Sequence, residues 1–128
     1  DRESKIPTNA VKIAPETDFN PPKSYSLEYY DPVPIPYPIN TPGGEDSAFI
    51  MPDGKTLYFW FTPDVNILVE KQLFDGVTGI YVSHKSGDTW SKPERIILQD
   101  PKKLALDGCG FVKNNLCFSV LQEKGIKG

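Results

Sequence analysis

The stretch 42-PGGEDSAFIMPDGKTLYFWF-61 decides the fold. Pro52-Asp53-Gly54 separates two apolar runs, 47-SAFIM-51 and 55-KTLYFWFT-62, and glycine supplies the positive φ that a tight hairpin turn requires. In 57-LYFWF-61, Leu57, Phe59 and Phe61 point one way while Tyr58 and Trp60 point the other. Both faces are apolar, so this strand is expected to be covered on both sides, as when sheets stack face to face.

A second passage, 107-DGCGFVKNNLCFSVL-121, repeats the pattern: an Asp, small and apolar residues, a turn, then Leu-x-Phe. Between them lie a long connection over 63–78, a strand 79-GIYVSH-84, a turn 85-KSGD-88 and an outer strand 90-WSKPERII-97. Pro93 restricts that last strand to an edge. Four antiparallel strands with a proline-marked outer edge form one blade of a β-propeller. The two Asp residues stand 61 positions apart, a period that suits blades carrying one long loop. The expectation is an all-β propeller fragment of about one and a half four-stranded antiparallel blades, preceded by a proline-rich extended segment.

Proline sets the boundary of that segment. Nine of the thirteen prolines fall within residues 1–42, including 32-PVPIPYP-38. Alternate prolines enforce extended or polyproline geometry and delete half of the backbone donors, so this stretch suits an edge or a surface wrap. Its alternation predicts docking through Val33, Ile35 and Tyr37. The folded β part is expected over 43–128.

The pattern Asp46-Ser47-x-Phe49-Ile50-x-Pro52-Asp53-Gly54-Lys55-x-Leu57-Tyr58-Phe59, followed by Gly79-Ile80-Tyr81-Val82-Ser83 and Trp90-Ser91-x-Pro93, resembles a TolB-type, WD-like β-propeller repeat. The likeness covers roughly residues 43 to 121; Lys113-Asn114-Asn115 stands in the second copy where the first has its Pro-Asp-Gly turn. The resemblance implies several blades, with 31-DPVPIPYPIN-40 as a ring-closing outer strand. A smaller motif, Ser83 to Trp90, resembles the Asp-box of sialidase-type propellers, with Lys85 where that box has Asp; by that resemblance it is a turn-forming device. A plain turn followed by a core Trp explains the same residues. Because blades need about three stacked repeats for stability, the partners expected are the remaining blades of the same protein or another copy.

Charge and hydropathy exclude other classes. A net charge of −3, with no basic cluster, argues against nucleic acid. The longest apolar run is Leu57 to Phe61, far short of the ~20 residues that span a bilayer. The chain opens Asp1-Arg2-Glu3-Ser4, as expected of a secreted or periplasmic protein after signal removal, or of a fragment.

Carboxylates at strand entries tend to face a propeller's central channel, which makes Glu45, Asp46 and Asp107 the ligand-binding candidates. Converging there, they would hold Ca²⁺ or polar substrate groups. Equally, each would fix its own strand entry by accepting backbone N–H bonds. No Asp-x-Asp-x-Asp-Gly loop supports a metal. Asp64 and Asp75 flank the long connection, where the spacing over 65–74 predicts a short helix capping the blade. His84 lacks any ligand spacing and is expected at the surface. Cys109 and Cys117 are expected as free, buried thiols: a two-residue turn sets Cys117 opposite Val112 with Cys109 on the other face, and a three-residue turn leaves the two cysteines diagonal rather than opposite. Two functional classes follow: a non-catalytic extracytoplasmic module binding a protein, glycan or ion, or a glycoside hydrolase using channel carboxylates. A sialidase-like site would want several arginines, and the two present, Arg2 and Arg95, lie away from strand entries in sequence.

Overall fold

In the computed structural model, residues 1–72 and 74–98 are described, together with the backbone of 111–113 and 116–118. The fold is all-β with a curled antiparallel sheet and little helix, consistent with a β-propeller fragment. Strand β1 spans Gly44–Ile50, β2 Thr56–Thr62, β3 Gly79–Ser86, β4 Thr89–Trp90 and β5 Glu94–Arg95. The sheet runs in the order β1-β2-β3-β4, and β5 also pairs with β3. Together β4 and β5 form one outer strand interrupted at Pro93, where the missing N–H cannot join the ladder. A separate hairpin pairs β6 (Phe111–Lys113) with β7 (Leu116–Phe118), setting Val112 opposite Cys117. Asp107 and Cys109 lie outside the described residues.

The predicted turn joins β1 to β2. Gly54 takes φ +66, and Asp53 accepts bonds from the amides of Lys55 (2.7 Å) and Thr56 (3.1 Å) and from the Thr56 hydroxyl (3.2 Å). Those donors, the Lys55 amide foremost, hold the Asp53 carboxyl below its ordinary value of 3.8.

One feature of β1 is a bulge. Asp46 lies opposite Trp60 and Phe49 opposite Tyr58, so Ser47 and Ala48 together face a single residue of β2. Ser47 adopts φ +50, which an L-residue rarely accepts, and its N–H is held by the Asp46 carboxylate. The extra residue corrects parity. It lets Asp46 and Phe49, three apart, share one face while Glu45 and Ile50 share the other with Phe61 and Leu57.

Leu57, Phe59, Phe61 and Tyr81 form the buried face, joined by Ile39. Burying each large side chain there stabilises the fold by roughly 1.5–3 kcal/mol. Tyr81 stacks on Phe59 and meets Phe61 edge-on, with ring centroids 6.1 and 5.6 Å apart. Its hydroxyl donates to the Val77 carbonyl at 2.7 Å, and burial pushes its pKa above the usual 10.0. Tyr58 and Trp60, on the opposite face, are half-buried.

The N-terminal segment covers the buried face. Ile6, Ile35 and Ile39 pack there, while Val33 and Tyr37 stay exposed, so docking runs through Ile35 and Ile39 rather than the expected alternation. The turn at residues 37–39, with a cis Tyr37–Pro38 bond, ends the extended geometry before Ile39 is set down. Residues 31–40 pair with no strand of this sheet.

Arg2 completes the cover. It sits in a short 3₁₀ turn, Arg2–Lys5, and is 4% exposed. Its Nη1 donates to Glu45 Oε1 at 3.1 Å, and Nη2 donates to the carbonyls of Pro38 (2.6 Å) and Ile39 (2.7 Å). The guanidinium lies 4.5 Å from the Phe61 centroid, 5.3 Å from Phe59 and 5.7 Å from Tyr81.

Around the turn of β3 and β4, Ser83 is fully buried and donates to the Ser91 carbonyl at 2.7 Å, while Trp90 packs against the core. Trp90 is half-buried, so the Trp that follows the turn lies at the margin of the core. His84 is exposed. The helix in the long connection shrinks to one turn, α1 (Val69–Gln72), with no buried residue. It does not cap the blade by burial: Leu68, Val69 and Phe74 are largely exposed.

Two outcomes test this architecture. Arg2→Ala leaves the partly buried Glu45 carboxylate without its counter-charge, and urea unfolding should register a loss of about 3 kcal/mol; a loss below about 0.5 kcal/mol contradicts the assignment of Arg2 to the core. Asp53, with its folded pKa lowered, contributes stability that is present above about pH 3.8 and lost as pH falls through the folded value. The Asp53→Asn variant should therefore show a flatter decline of unfolding midpoint below pH 4 than the parent chain.

Candidate functional site

The sheet end where β1 starts and β2 finishes carries a groove of about 640 Å³, within the range of small-ligand sites. Three separate segments line it: residues 7–13, 40–45 and 63–66. Gly44 pairs with Thr62 at its floor. Chain direction explains the convergence, because the N-terminal cover passes over the core and re-enters the sheet through Asn40-Thr41-Pro42, beside the loop that leaves β2 at Pro63.

Two of the sequence-predicted carboxylates line this groove, Glu45 and Asp64. Glu45 is well supplied with donors: Arg2 Nη1 and the Thr41 hydroxyl (2.6 Å) on Oε1, and the Thr41 amide (3.2 Å) on Oε2. Asp64 accepts from the Asn66 amide (2.9 Å) and the Asn66 side chain (3.1 Å), which fixes the loop after β2. Asp46 is exposed and, through its pairing with Trp60, belongs to the opposite face of the sheet from Glu45. The strand entry thus splits its two acids between two faces.

Asp75 lies outside the groove and builds the entry to β3. It accepts from the amides of Val77 and Thr78 (2.7 Å each) and from the Thr78 hydroxyl. Arg95 closes the same turn, donating to the carbonyls of Gly76 and Thr78 at 2.8 Å each. Both arginines therefore stand at strand entries in space, Arg2 at β1 and Arg95 at β3, contrary to their positions in sequence. Each is committed to structural acceptors.

Sequence reasoning missed the groove's neutral polar groups, Asn9, Asn40 and Asn66, and Lys12, whose Nζ donates to the Asn40 carbonyl at 3.0 Å. Their only advance signal was asparagine in turn-rich contexts. Among the described residues, no group of three or more His, Cys, Asp or Glu is placed to hold a metal ion. Nor is any described helix long and apolar enough to cross a membrane.

Comparison with protein-family models, with curated proteins and with solved structures returned no match to this chain.

The groove's floor makes a sharp prediction. A Cβ on Gly43 would lie 2.7 Å from Cε2 of the fully buried Phe61 ring, whereas one on Gly44 would meet Cγ1 of the exposed Val65 at the same distance. Gly43→Ala should cost about 1–3 kcal/mol in chemical denaturation. Gly44→Ala should cost less than Gly43→Ala, since the exposed Val65 can turn away and the remaining approach, to Cγ2 of the buried Thr62, is 3.2 Å.

Proposed function

We propose that this chain is a non-catalytic binding module of an extracytoplasmic, TolB-like propeller, taking a polar ligand in the groove at the start of β1. One observation carries the reading: Glu45 is held by three local donors and Asp64 Oδ1 by Asn66, while among the described residues the side chains of Asn9 and Asn40 make no hydrogen bond. A carboxylate held in place by a guanidinium, an amide and a hydroxyl has little freedom to turn toward a sugar carbon or its leaving group. That weighs against the hydrolase reading, which needs two such groups facing each other across a pocket. Calcium has still less support, since the described acids are dispersed over two faces and two strand entries.

Exposed apolar side chains in the N-terminal segment favour macromolecular partners. Phe19, Tyr25, Leu27 and Tyr30 are almost fully exposed in the N-terminal segment. Large apolar side chains so displayed suit contact with protein, whether further blades or another copy.

Binding without cleavage is tested by incubating the protein with soluble oligosaccharides and peptides, following amide shifts and released reducing ends together. Shifts should gather at Asn9, Asn40 and Asn66, and the ligand should be recovered intact. Reducing ends that appear with the parent protein and with Asp46→Ala, but vanish with Glu45→Gln, would establish the hydrolase instead.

A further inference from the structure

Resting on that reading, we infer that the groove's occupant is the main chain of an extended peptide. Three asparagines, one from each lining segment, border the groove: Asn9, Asn40 and Asn66. Among the described residues, the side chains of Asn9 and Asn40 make no hydrogen bond, and Asn66 commits only its amide nitrogen, to Asp64. A primary amide offers a donor and an acceptor side by side, which is the complement of a peptide unit's C=O and N–H. Such groups placed along a trough bind a repeating main chain irrespective of its side chains.

The remaining lining agrees. Among the described residues no aromatic ring lines the groove, so they offer a sugar ring or a nucleobase no face on which to stack. Instead Val11, Ile13 and Val65 stand exposed along it, offering aliphatic contact to a peptide's side chains. Lys12 and Asp64 have opposite charge, and Glu45 is neutralised by Arg2 behind it, so the groove suits an uncharged chain.

The test is a ¹⁵N titration of the intact chain with three probes: a blocked heptapeptide of alternating Thr and Ala, the same peptide N-methylated along its backbone, and a chitin hexasaccharide. The expected result is movement of the Asn9, Asn40 and Asn66 side-chain amide signals with the unmodified peptide alone. Asn9→Ala, at an exposed site whose side chain makes no hydrogen bond among the described residues, should keep the parent melting temperature and weaken that peptide about tenfold. Equal binding of the N-methylated peptide, or unchanged affinity in Asn9→Ala, overturns the main-chain reading. Movement with the saccharide alone overturns the peptide inference and leaves the binding module standing. Silence with every probe overturns both.

Discussion

The structure depends on a guanidinium buried against aromatic rings. Arg2 is drawn 43 residues across the sequence to Glu45, and it faces Phe59, Phe61 and Tyr81 at once. Removing such a group from water is costly, and one ion pair does not repay it alone. Here the donors are shared among a carboxylate and two main-chain carbonyls, while the cation's flat face meets ring faces that favour it. The result is less a source of net stability than a constraint. With Arg2 donating to Glu45, Pro38 and Ile39, the N-terminal segment sets Ile6, Ile35 and Ile39 onto the sheet.

From this constraint the groove follows. A cover pinned at Arg2 and at Ile39 must rejoin the sheet through Asn40 and Thr41, which brings residues 7–13 and 40–45 beside the exit of β2. The bulge at Ser47 has a matching part. By inserting one residue it keeps Glu45 on the covered face for Arg2 and still presents Phe49 opposite Tyr58. Asp46 is thereby left on the far side, and the acids next to each other in sequence serve different surfaces.

The hairpin was legible in the sequence because Pro52-Asp53-Gly54 and the alternation of 57–61 are local signals, and local signals survive tertiary packing. The outer position of the last strand was legible for the same reason, since Pro93 lacks the N–H whatever surrounds it, but its break into β4 and β5 was not: the expected strand ran unbroken over 90–97. Arg2 was not legible: nothing in Asp1-Arg2-Glu3 distinguishes a core cation from a solvated one until the chain returns. The bulge escaped because Ser at positive φ has no sequence signature, unlike Gly54. The helix over 65–74 keeps only one turn, and Leu68, Val69 and Phe74 remain largely exposed. The groove combines three segments, so no single window contained it, and attention to carboxylates passed over the asparagines between them.

The central claim is that Arg2 sits inside the fold, against the Phe61 ring. The most direct measurement is the side-chain ¹⁵N–¹H spectrum of the guanidinium with nuclear Overhauser contacts to aromatic protons. A buried Arg2 predicts resolved, slowly rotating Nη signals, moved by ring currents and in contact with the Phe61 and Tyr81 rings. A single averaged signal at the position of a free arginine, without ring contacts, would contradict the account.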